Sequence, residues 1–130
     1  MSLEDLKQKF IVDEDVHRSR LESLLEIALS MCVVDKNGIV HISATDVSTT
    51  DKVMLVLAAR YLASQLEASI SADVKFTELE KSTGMDPKQV GARLSDVVKN
   101  RLATSPQRGV YRVVPHRIEG FLQQLTKKKK

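Results

Sequence analysis

Four consecutive residues, Gly84-Met85-Asp86-Pro87, stop one helix and start another. Glycine suits the left-handed turn that ends a helix. Aspartate caps the next one, and proline takes the first helical position, where its missing N–H costs nothing. Two helices joined by so tight a turn must cross at a large angle, and few folds accept such a corner. Around it the pattern is continuous from Phe76 to Leu125. Thr77-Glu78-Leu79-Glu80 predicts a capping box, with Thr77 at the cap and Glu80 three residues on. After the corner, Val90, Leu94, Val97 and Val98 recur at helical spacing and predict one buried stripe. Lys88, Gln89, Ala92, Asp96 and Lys99 lie opposite, with Arg93 on the flank, and the small Gly91 and Ala92 permit close approach. Leu102-Ala103-Thr104 starts a strand, Ser105 to Gly109 forms a five-residue polar tip, and Val110 to Val114 returns. Ile118, Phe121, Leu122 and Leu125 predict a closing amphipathic helix.

Upstream, residues 2–10 can form a short helix with Leu3, Leu6 and Phe10 on one side. Asp13 to Ser30 reads as a second helix through Val16, Leu21, Leu24, Leu25 and Ala28. Two β-branched runs around Asn37-Gly38 predict a hairpin over residues 31–43. Thr49-Thr50-Asp51 can cap a helix running to about Glu67. Its first turns are apolar on nearly every side, which marks it as central, and Arg60, Tyr61 and Gln65 then restore an exposed face. Val74-Lys75-Phe76 is a short extended piece. The predicted class is therefore α+β, mainly α with small β hairpins. It divides into an N-terminal helix-and-hairpin extension (1–48), a main domain (49–126) and a disordered lysine tail (127–130).

Charge divides along the chain more sharply than its net +3 suggests. Residues 1–85 carry −5, residues 86–117 carry +5 and residues 118–130 carry +3. A basic segment joined to an acidic one points to a polyanionic partner for one face only. Trp is absent and aromatics are 4% of the chain, so aromatic surfaces for stacking bases are not expected. No apolar run is long enough to span a membrane, and the N-terminus lacks the basic-then-apolar pattern of a secretory signal. An intracellular, cytoplasmic protein is expected, nucleoid-associated if it binds DNA.

Enzyme chemistry finds no foothold. His17, His41 and His116 are widely separated and have no CxxC partner, so no zinc spacing exists. The single cysteine, Cys32, lies in an apolar run and reads as a buried reduced thiol. There is no nucleophile elbow and no phosphate-binding glycine loop. No metal, cofactor or small-molecule ligand is implied.

From about Asp51 to Leu125 the chain resembles the winged helix-turn-helix superfamily of small prokaryotic and archaeal DNA-binding domains. Three stretches carry the resemblance: Phe76-Thr77-Glu78-Leu79-Glu80-Lys81-Ser82-Thr83-Gly84, Val90-Gly91-Ala92-Arg93-Leu94 and Val110-Tyr111-Arg112-Val113. It implies that Asp86 to Asn100 is a recognition helix and Ser105 to Gly109 the tip of a wing. One departure is plain. Such domains often have glycine just before the leucine that opens the wing, and here it is Arg101; either Asn100 supplies the left-handed turn or the helix exit differs.

The residues suit that role. Gln pairs with adenine edges, and Lys or Arg with guanine, so Lys88, Gln89 and Arg93 are candidates for base contact, with Ala92 and Lys99 on the same face. Asp96, also there, opposes it. Arg108 can enter a minor groove or grip a phosphate, and Arg112 and Arg117 can hold the backbone beside it. The expected function is binding of double-stranded DNA, most simply as a transcriptional regulator. The alternative is a winged helix that contacts protein. The leucine-rich N-terminal helix can serve as a homodimer surface or pack on the domain's own central helix.

Overall fold

The structure is a computed structural model that describes residues 2–10 and 14–128. Its class is α+β, as expected. In chain order come α1 (Leu3–Phe10), α2 (Glu14–Leu29), β1 (Cys32–Val34), β2 (Val40–Ile42), α3 (Thr49–Leu66), β3 (Val74–Lys75), α4 (Phe76–Thr83), α5 (Pro87–Lys99), β4 (Ala103–Gln107), β5 (Val110–Val113), a 3-10 turn at Pro115–Arg117 and α6 (Ile118–Lys128). Asp13, the expected start of the second helix, and the side chain of Val16 lie outside the described residues.

α3 is the centre of the fold. Every residue from Val53 to Arg60 is buried, and α2, α4, α5, α6 and β5 all pack against it. A fully buried leucine such as Leu57 contributes roughly 2 kcal/mol through removal of apolar surface from water. The helix is capped by Ser48, one residue earlier than expected, whose Oγ accepts from the Asp51 N–H at 3.1 Å. β1 and β2 form the predicted hairpin, with Cys32 opposite Ile42. Met31, Cys32 and Val40 bring it into the same core as Leu57 and Leu94.

The second sheet is antiparallel, in the order β3-β5-β4. Its edge strand β4 holds Pro106, which has no N–H to give to a ladder. Thr104 faces Arg112 and Gln107 faces Val110, so Ser105 and Pro106 together oppose one residue and form a bulge. The five-residue tip expected at Ser105–Gly109 is thereby shortened to a turn at Arg108-Gly109, with Gly109 at φ +77°.

Three further expectations are corrected. α4 begins at Phe76, and its capping carboxylate is Glu78, which accepts from the Lys75 N–H at 3.1 Å. Pairing of β3 with β5, prolonged by Phe76 N–H donating to the Gly109 carbonyl, sets that start two residues before the Thr77–Glu80 frame allows. Arg60 is buried, 5% exposed, instead of opening a solvent face. Its guanidinium donates to Glu78 and to the carbonyls of Ser71 and Asp73, so its charge is paired and its donors are used. The lysine tail begins as helix, since α6 continues through Lys128.

Candidate nucleic-acid interface

The corner at Gly84–Pro87 forms as its residues dictate. Gly84 takes φ +70° and its N–H donates to the Glu80 carbonyl. Asp86 accepts from the Gln89 N–H at 2.8 Å, and Pro87 opens α5. α5 buries Val90, Leu94 and Val97, with Val98 half-buried. That leaves Lys88, Gln89, Ala92 and Arg93 turned outward, and these four line one groove of about 330 Å³ with Asp86 and Thr49. Thr49 belongs to the first turn of α3, so two helix N-termini border the groove. Their N–H groups and dipoles favour an anion there. Thr49 was not foreseen from the sequence, because only the packing of α3 on α5 brings it there.

Charge within the groove is unequal. Lys88 has no ion-pair partner among the described residues. Arg93 lies 3.6 Å from Asp96 one turn on, both well exposed. Such a pair is worth about 0–1 kcal/mol, so a phosphate can displace it. Asp96 thus tempers Arg93 without immobilising it.

The remaining predicted contacts lie outside that groove. Lys99 is exposed in the last turn of α5, Arg108 is exposed at the β4–β5 turn, and Arg117 is exposed in the 3-10 turn. All three are without ion-pair partners among the described residues. Arg112 is different. The β3–β5 register carries Asp73 opposite it, and its Nε donates to Asp73 Oδ1 at 2.5 Å. The hydrogen bond and the charge of Asp73 raise its pKa further. The charge of Arg112 is thus locally paired by a residue from the segment leading into β3, 39 positions away in the chain.

The helix exit that the sequence left open is also resolved. Asn100 has φ −85°, and Arg101 itself takes the left-handed conformation at φ +59°. Arg101 N–H donates to Val98 and Leu102 N–H to Val97. These are the two hydrogen bonds of a Schellman motif, with arginine at the position glycine favours.

Among the described residues no group of three His, Cys, Asp or Glu side chains could hold a metal ion, and no helix is long and apolar enough to cross a membrane. No protein-family model matches the chain, and no curated protein or solved structure matches it either.

Proposed function

We propose that residues 49–126 form a winged helix-turn-helix that binds double-stranded DNA, with α5 as recognition helix and the β4–β5 hairpin as wing. The element order α3-β3-α4-α5-β4-β5 and the sheet order β3-β5-β4 support the fold reading. The observation that carries the function is the groove on α5. Lys88, Gln89, Ala92 and Arg93 meet at the helix N-terminus, where a recognition helix contacts base edges. Lys99, Arg108 and Arg117 add unpaired cations for the backbone, and Arg112 contributes less. The role is binding and not catalysis, most simply transcriptional regulation in the cytoplasm, on the nucleoid.

Fluorescence anisotropy with a duplex tests this. With about five phosphate contacts, affinity falls about 10²- to 10³-fold between roughly 50 and 200 mM salt. Arg93→Ala with Arg108→Ala weakens it further. Absence of binding at low salt, or binding indifferent to that double substitution, would sink the proposal.

A second reading, a protein-contact module, is favoured by one observation. An apolar groove of about 370 Å³ lies between α2, β1 and α3, bordered by the exposed Leu29, Val33 and Leu66. Leu21, Leu24 and Leu25 of α2 pack on the chain's own core, whereas Leu3 and Phe10 of α1 stand in solvent. A homodimer would therefore use α1 and this groove in preference to the leucine face of α2. Light scattering at rising concentration reads the oligomeric state directly, and a monomer at every concentration removes the homodimer.

A further inference from the structure

Arg101 holds a backbone conformation that costs an L-residue energy and that glycine adopts freely. Among the described residues nothing offsets this through its side chain. Arg101 is exposed, and among the described residues its guanidinium has no hydrogen bond or ion pair. Strain of this kind concentrates where a side chain serves a ligand. The hairpin ladder fixes the location. Ala103 pairs with Val113, and Val114 N–H donates to the Leu102 carbonyl. Arg101 therefore enters the hairpin at the end where Pro115–Arg117 leaves it. Lys99 precedes it and Arg117 follows on the returning side, both exposed and without ion pairs among the described residues. Between Asp96 and the end of the chain, Glu119 is the only acidic residue.

We infer that the root of the β4–β5 hairpin is a phosphate clamp, in which Lys99, Arg101 and Arg117 grip the backbone of the duplex that α5 reads. Arg101 is its specific mark, since the fold alone would favour glycine there. The inference rests on the DNA-binding reading and adds a second contact region to it, apart from the groove.

The competing explanation is that a cation at a helix C-terminus simply favours the helix dipole. Arg101→Gly separates the two, because it relieves strain and removes the cation together. The full chain is melted thermally and titrated onto a random-sequence duplex at several salt concentrations. Arg101→Gly melts about 2–5 °C higher. It binds on the order of fivefold more weakly, with a salt slope shallower by about one. Arg101→Lys keeps most of the affinity and the full slope. Unchanged binding by Arg101→Gly, or a lower melting temperature, overturns the clamp while leaving the groove reading intact. Absence of salt-dependent binding by the unmutated chain removes both.

Discussion

Arg60 shows how one side chain can join elements that the sequence keeps apart. It leaves the middle of α3, pairs with Glu78 of α4, and takes the Ser71 and Asp73 carbonyls of the segment leading into β3. Gly38 completes the site, since a Cβ there would lie 3.3 Å from the Arg60 Cζ, and its φ of +85° already favours glycine. Breaking a buried pair on one side leaves the other charge uncompensated. Arg60→Met is expected to cost ~3–5 kcal/mol in urea melts, whereas Arg60→Met with Glu78→Leu recovers much of that loss. If the single and double variants are equally unstable, Glu78 is not the reason. Cys32 gives a pH-dependent prediction. Burial pushes its thiol from 9.0 up to about 11. The unfolded chain then ionises first, so this contribution to stability is complete below about pH 9. It is lost as pH rises toward 11, a change of roughly 2 kcal/mol. Cys32→Ala is expected to remove that alkaline slope in melts at stepped pH, independently of its effect at neutral pH.

At the scale of elements, the corner between α4 and α5 is where local chemistry alone decides the structure. Asp86 caps α5 and also borders the groove, so its two roles can be separated. Asparagine caps about as well as aspartate but carries no charge. Asp86→Asn is expected to hold stability within about 0.5 kcal/mol and to tighten binding to a duplex, while Asp86→Ala loses about 1 kcal/mol of stability. Weaker binding by Asp86→Asn would place the phosphates elsewhere. This corner, the β1–β2 turn and the α5 stripe were legible in the sequence because each depends on residues within a few positions of one another. The start of α4 was not. Thr77 and Glu80 have capping-box spacing, but a strand pairing with β5 ends at Lys75 and moves the capping role to Glu78. Arg60 was misread, and the partner of Arg112 was not foreseen, for the same reason. Their partners, Glu78 and Asp73, lie 18 and 39 residues away and meet them only through packing and strand register. Of the candidate contacts, the four on the first turns of α5 share one groove because they share one helix. At Ser105-Pro106 the proline reads locally as a turn, but the ladder resumes at Gln107 beyond a bulge, so the hairpin tip was drawn too long.

At the scale of the molecule, a boundary at residue 48 divides the chain by pattern, but the core runs across it. Ala28, Met31, Cys32 and Val40 lie on one side, Leu57, Leu94 and Leu122 on the other, and all belong to one buried cluster among the described residues. Removing residues 1–48 would expose the faces of α3 and α6 that α2 and the β1–β2 hairpin cover. Each large apolar side chain so uncovered forfeits up to about 1.5–3 kcal/mol, and a domain of this size has only about 5–15 kcal/mol to lose. The fragment 49–126 is therefore expected to lack a cooperative thermal transition. Removing only residues 1–10 takes away α1, whose Leu3 and Phe10 are 85% and 89% exposed, and should leave the melting temperature of dilute protein unchanged within about 1 °C. Calorimetry on the two truncations separates the cases. A sharp transition in the 49–126 fragment would mean that the extension is an appendage and that the basic half folds alone. Its absence would mean that the acidic N-terminal half stabilises the scaffold on which the basic groove of α5 is mounted. A melting temperature that falls in the shorter truncation only at high protein concentration would instead locate the missing partner of α1 in a second copy of the chain.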